Sequence, residues 1–371
     1  MSIHPIGLPT AVSVLISSMR LSSLTRMALA HLRLNSKRIF CLALITVIPV
    51  KHPELSTLPS ASMPSRSRLR KGLIAMARWV GAGILLYGAF RQIFAELKKL
   101  QDTELRLDLP LLFFGAALYA GAMACFAAYW RQTALGMGGS PGRLEAQRAY
   151  FVSQLGKYIP GKAWVILIRC ALVNSKTTTA PVIIASTFYE TLAMMAAGSL
   201  LALVALLSAG NAQPVMLALS GALAAGLLFA ALPPVFGRLT TWTARSFQKA
   251  GMIPIAAITY TTWFQAFRYC IPGWTAAGLS LLAIAGSLGI SLFSFAGFLV
   301  ACGSMALAIV GGFAVLIVPA GLGVREWVLM QTLGPSIGTS NAVLVAILAR
   351  ITHVTVELFV AGCLYLLGKR K

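Results

Sequence analysis

Long apolar runs separated by short basic connections constrain this chain more than any other feature. They cover Leu73 to Phe90, Pro110 to Trp130, Ala180 to Ser208, Pro214 to Leu232, Pro254 to Ala283, Ser291 to Val310, Gly312 to Leu333 and Asn341 to Leu367. A bilayer core is crossed by about 20 apolar residues in a helix, because every backbone polar group must be satisfied inside the segment. The runs predict an all-α, polytopic membrane protein with about eight transmembrane helices. Tyr150 to Cys170 is apolar too, but it carries Lys157, Lys162 and Arg169 and is interrupted by Pro160-Gly161, which predicts a re-entrant or broken helix.

Residues 1 to 62 differ in character, being Ser-rich and dotted with Pro and basic residues, with Glu54 as their one acid. Their longest apolar run, Ile39 to Val50, is too short to span, and no small-residue cleavage site clearly follows it. The expected organisation is therefore an extension over 1–62 that is disordered or foreign to the native protein, a native start near Met63, and one membrane domain over 63–371.

Charge enters the argument through its position. The chain holds 31 Lys and Arg against nine Asp and Glu, a formal net charge of +22. The basic residues lie between apolar runs and are not interleaved with aromatics on one polar face, so they read as topology and headgroup signals, and nucleic acid is not an expected partner. Arg66, Arg68, Arg70 and Lys71, then Arg131, Arg143 and Arg148, then Arg238, Arg245 and Lys249, then Lys369, Arg370 and Lys371 fall on one side of an eight-span arrangement. The positive-inside rule makes that side, with both termini, cytoplasmic.

Six of the nine acids lie outside the runs, whereas Glu190, Glu326 and Glu357 lie inside them. An intramembrane carboxylate faces protein or a wet cavity and has a partner, which makes these residues candidates for function. Arg350 and Glu357 sit seven residues apart, about two turns, on one helix face. Arg325 and Glu326 are adjacent, so each needs a partner beyond the other. The economical expectation is one polar cluster of Glu190, Arg325, Glu326, Arg350 and Glu357, serving either transport or helix packing and register. His353, one turn from Arg350 and Glu357, is either a packing residue or a proton relay.

The densest basic motif is Gln154-Leu155-Gly156-Lys157-Tyr158-Ile159-Pro160-Gly161-Lys162, followed by Arg169. A helix interrupted by Pro160 and Gly161 exposes N–H groups and the positive end of a dipole, so Lys157, Lys162 and Arg169 there offer an anionic headgroup a seat. The other reading is an interfacial kink whose lysines reach the headgroups. A second interruption is expected at Pro319, Gly321 and Gly323. Each interruption precedes a charged span, Glu190 lying 30 residues after Pro160-Gly161 and Arg350 lying 31 after Pro319, which suggests a weak internal repeat with a site at its interface. Trp130, Trp164, Trp242, Trp263 and Tyr260 near run ends suggest an aromatic belt.

Cysteines Cys41, Cys125, Cys170, Cys270, Cys302 and Cys363 lack zinc, redox or disulfide-framework spacing, and of the histidines His353 alone lies in the membrane part, so no metal or other cofactor is expected. No nucleophile elbow, phosphate-binding loop or paired-carboxylate motif is present, and a covalent activity is not expected.

At Ser153 to Lys162 with Arg169, at Ser186-Thr187-Phe188-Tyr189-Glu190, at Pro319-Ala320-Gly321-Leu322-Gly323-Val324-Arg325-Glu326 and at Arg350 through Glu357, the chain resembles the flippase-like transmembrane region of lysylphosphatidylglycerol synthases and its stand-alone relatives, some of them glycosyltransferase-associated. The matches run in family order from Met63 to the end. Ala320 departs from the family's Pro-Gly-Gly and tolerates positive φ poorly. The resemblance implies a bacterial inner-membrane protein that moves or binds an anionic phospholipid or lipid-linked headgroup between leaflets. The soluble domain that aminoacylates phosphatidylglycerol is not expected here, since Lys371 directly follows the last run. The alternatives are a non-transporting membrane scaffold for a partner glycosyltransferase or lipid-modifying enzyme and, last, an embedded transferase.

Overall fold

In the computed structural model the described residues are 107–158, 163–173, 178–210, 212–238, 257–315 and 321–368. The chain divides into two units, Met1–Leu73 and Ile74–Lys371, and every described residue belongs to the second. The expected extension 1–62 and the first expected span, Leu73 to Phe90, lie outside the described residues, as do Pro160, Gly161, Lys162, Pro319 and Trp242.

The architecture is all-helical, with no β-strand among the described residues. In order the helices are α1 (Leu109–Gly136), α2 (Arg143–Gln154), a 3₁₀ turn (Leu155–Tyr158), α3 (Ala163–Val173), α4 (Ala180–Ala209), α5 (Pro214–Ala231), α6 (Tyr260–Ser287), α7 (Phe295–Ala314), α8 (Val324–Ile337) and α9 (Thr339–Leu367). Six of them, α1, α4, α5, α6, α7 and α9, are long and apolar enough to cross a membrane. The protein is a multi-pass helical membrane protein. Phe113, Phe114, Phe229, Phe264, Phe295 and Phe359 are exposed on its long helices, as expected where the surrounding medium is hydrocarbon.

Polar caps set the helix ends that the hydropathy runs leave vague. The Asp108 carboxylate accepts from the Leu111 N–H at 3.1 Å, and Thr259 and Ser294 accept from Thr262 and Gly297 at 3.3 and 3.0 Å. At the other end α1 runs past Trp130 to Gly136, and the Arg131 Nε–H donates to the Pro141 carbonyl at 3.0 Å. The Asp108 N–H donates to the Ser287 carbonyl at 2.8 Å, so α1 and α6 pack antiparallel, the most extensive pairing among the described helices.

Two interruptions shape the interior. α2 and α3 pack on each other through the 3₁₀ turn as a helical hairpin whose arms have 12 and 11 residues. At 1.5 Å per residue each arm reaches roughly half of a 30 Å bilayer core. The Tyr150 to Cys170 stretch is therefore broken, as its charges and Pro160-Gly161 predict. Gly156 lets the hairpin close, because a Cβ there would lie 2.8 Å from the Val165 backbone nitrogen.

The second interruption corrects an expected span. Gly312 to Leu333 is not one crossing helix: α7 ends at Ala314, α8 begins at Val324, and α8 has only 14 residues. Hydropathy misses this because the break is made by the backbone. Gly321 and Gly323 have φ of +66° and +79°, and a Cβ on Gly321 would sit 2.7 Å from the Gly312 Cα. Gly321→Ala should destabilise the protein by roughly 1–2 kcal/mol from left-handed backbone strain alone, before the clash is counted. Thermal unfolding of the purified chain checks this against Gly226→Ala, inside α5, where a Cβ meets nothing within 4 Å and no loss of stability is expected. Equal midpoints for the two variants would refute it.

Candidate functional site

Each intramembrane acid sits on a long helix or at the second interruption and draws donors from a different quarter. Ser186, Thr187 and Glu190 share one face of α4 by their spacing of three and four residues. Arg169 of α3 reaches them: its Nη1–H donates to Thr187 Oγ1 at 3.3 Å and to Glu190 Oε2 at 3.4 Å, and its Nε–H donates to Ser153 Oγ at 3.1 Å. The Tyr150 hydroxyl donates to Glu190 Oε1 at 3.4 Å. The guanidinium lies 4.7 Å from the ring centres of both Trp130 and Tyr150, a geometry in which the ring faces favour the cation. Arg169 and Glu190 have side chains 0% and 1% exposed, so this pair is sealed.

The tip of the hairpin supplies the second group. Lys157 Nζ donates to Glu357 Oε1 at 2.6 Å, the Tyr119 hydroxyl donates to the same oxygen at 2.6 Å, and the Tyr158 hydroxyl donates to Oε2 at 2.8 Å. Three donors hold a carboxylate that is 1% exposed, while Lys157 remains 23% exposed. Tyr119 also stacks on His353 with ring centres 3.8 Å apart, and His353 Nε2 lies 3.2 Å from Ser280 Oγ. Among the described residues His353 Nδ1 is buried with no hydrogen-bond partner.

The third group gathers at the start of α8. Glu326 Oε2 accepts the Gly323 N–H at 2.7 Å, capping the helix, and Oε1 lies 3.8 Å from Arg350 Nε. Arg325, Glu326, Arg350 and His353 line one small cavity with Met305 and Leu329.

The residues of the expected cluster fall into three groups, of which the second and third adjoin: the Arg350 guanidinium lies 6.0 Å from the Tyr158 ring centre, and His353 of the cavity stacks on Tyr119. Glu326 pairs with Arg350, as its need for a partner requires. Arg350 and Glu357 share a face of α9, yet Glu357 takes Lys157 instead, because the hairpin tip brings an ammonium and two phenols to that carboxylate. Glu190 takes Arg169. Two cations expected to await a headgroup, Lys157 and Arg169, are therefore already paired with carboxylates. Trp130 is fully buried, its Nε1–H donating to Ser186 Oγ at 3.2 Å, and does not belong to an interfacial belt. Sequence reasoning passed over Tyr119, Tyr150 and Tyr158, whose hydroxyls satisfy the acids; tyrosines well inside apolar runs or beside a break were the available signal.

Among the described residues no group of three or more His, Cys, Asp and Glu side chains is placed to hold a metal. Comparison with protein-family models finds no match to the chain, and comparison with curated proteins finds none either.

Proposed function

We propose that the protein is a flippase-like membrane protein that binds an anionic phospholipid or lipid-linked headgroup and moves it between leaflets. One observation carries the reading: each buried carboxylate meets a cation across one of the two interrupted segments, and Lys157 and Arg350 of these pairs keep 23% and 15% of their side chains exposed. Ionisable groups inside a membrane interior line substrate and ion pathways in transporters, commonly beside interrupted helices.

In this reading the α2–α3 hairpin is re-entrant, and Leu73 to Phe90 adds a seventh span to the six. The basic connections still fall on one side, provided that α7 and α8 leave and return to the opposite one. The Arg148 Nη1–H donates to the Gly368 carbonyl at 3.4 Å, which supports a common end for α2 and the basic tail. That end is cytoplasmic, in a bacterial inner membrane. The two interruptions, each followed by a charged long helix, form an internal repeat with the site at its interface.

The test is a lipid-movement assay in proteoliposomes containing the full chain, with fluorescent phosphatidylglycerol, an aminoacylated analogue and a polyprenyl-linked sugar compared. One of these lipids should move, and Glu326→Ala or Arg350→Ala should abolish movement while the protein still inserts. Unimpaired movement in both variants would sink the assignment. A second reading, a membrane scaffold for a partner glycosyltransferase or lipid-modifying enzyme, is favoured by the sealed Arg169–Glu190 pair. It requires a stoichiometric partner to co-purify and no lipid to move.

A further inference from the structure

Arg325 is the cation that the three groups leave over. It is 8% exposed, and among the described residues no group makes a hydrogen bond or ion pair with it. Burying a guanidinium is costly unless opposite charge meets it. Its surroundings are correspondingly hollow: the cavity beside it measures about 10 Å³, room for one water-sized group. The polar wall is Arg325, Arg350, Glu326 and His353, so two guanidinium groups face one carboxylate. The positive end of the α8 dipole adds to that excess.

Glu326 is held unequally by its two partners. Its contact with the Gly323 N–H is short, 2.7 Å, whereas its contact with Arg350 is 3.8 Å, at the limit of an ion pair. The carboxylate is therefore fixed as a helix cap and only loosely engaged as a counter-ion. A negatively charged oxygen entering the cavity can bridge Arg325 and Arg350 without unseating α8. The remaining wall, Met305, Leu329, Ala346 and Ala349, is apolar and too close for a bulky ammonium headgroup.

We propose that this cavity is the seat for one oxygen of a monoanionic phosphodiester, bound between Arg325 and Arg350, with Glu326 as the built-in competitor that neutralises Arg350 when the seat is empty. The proposal rests on the lipid-handling reading and gives it a binding position and a charge preference. The same oxyanion chemistry is offered by a lipid headgroup and by free phosphate.

Binding is measured on the full chain in maltoside micelles, which carry no phosphate, by titration with fluorescent phosphatidylglycerol and, as an uncharged control, fluorescent diacylglycerol. Wild type should bind the phospholipid and not the control. Arg325→Gln should weaken binding by about tenfold or more, the size of a lost charge-assisted hydrogen bond. Arg325→Lys, which keeps the charge, should recover part of it. Glu326→Gln should act in the opposite direction and tighten binding a few-fold, because glutamine still caps the helix but no longer competes for Arg350. Inorganic phosphate displacing the phospholipid would assign the seat to the anion itself; no displacement would assign it to the lipid-borne group, and either result retains the seat. Monodisperse Arg325→Gln protein that binds like wild type would overturn the proposal, as would Glu326→Gln weakening binding, or wild type failing to bind. Lipid movement is read separately: binding without movement would leave the seat and remove the transport reading, whereas movement with Arg325-independent binding would do the reverse.

Discussion

Arg169→Leu should prevent the protein from being recovered as a folded species, with a loss of about 3–5 kcal/mol, the size expected when one member of a buried ion pair is removed. The substitution leaves the Glu190 carboxyl 1% exposed without its cation, with the Tyr150 hydroxyl 3.4 Å away. It also removes the cation that lies between the Trp130 and Tyr150 rings and the donor to Ser153, so α1, α2, α3 and α4 all lose contacts at once. Monodispersity by size exclusion and the thermal midpoint of whatever protein survives measure the effect. The double variant Arg169→Leu with Glu190→Leu should recover most of the loss, since two apolar side chains replace a pair whose desolvation offsets much of its attraction. A single variant that melts like wild type would mean that the pair contributes nothing to the fold. Because the pair is sealed, this prediction concerns folding and holds under either functional reading.

The membrane architecture is legible in the sequence because a bilayer imposes one length on every crossing segment and punishes charge inside it. Thus α4 and α9 fall within two residues of their apolar runs. The broken character of the Tyr150 to Cys170 stretch is legible for the same reason, since its charges and Pro160-Gly161 violate the rule. Hydropathy alone reads Gly312 to Leu333 as one span, whereas the glycines of the interruption expected at Pro319, Gly321 and Gly323 signal a turn, and Gly321 and Gly323 take positive φ there. The pairings are less legible still. Helical spacing places Arg350 and Glu357 on one face, but the identity of the cation at Glu357 depends on where the hairpin tip lands. That is fixed by the close approach of Gly156 to Val165, a contact between residues of two different helical segments. Trp130 was misread because an apolar run stops there, whereas the helix itself continues for six residues to Gly136.

Lys157→Met should slow lipid movement by about tenfold or more, as expected for the loss of a charge-assisted contact to a phosphate, while lowering stability far less than Arg169→Leu does. The asymmetry follows from who holds Glu357. Without the ammonium, the carboxylate keeps the Tyr119 and Tyr158 hydroxyls at 2.6 and 2.8 Å, so it stays hydrogen-bonded. Yet Lys157 keeps 23% of its side chain exposed where Glu357 keeps 1%, so an incoming headgroup meets the lysine before the carboxylate. In the proposed function the phosphate exchanges with Glu357 on Lys157, and the carboxylate falls back on the two phenols during the exchange. A charge swap, Lys157→Glu with Glu357→Lys, separates this from a purely structural clamp. The swapped pair keeps its attraction and should recover stability, but its ammonium now starts from a position 1% exposed, where no headgroup arrives first. A clamp predicts that the swap restores every property of the wild type. A headgroup-receiving lysine predicts that folding returns and lipid movement does not, read as thermal midpoint and proteoliposome rate on the same preparation.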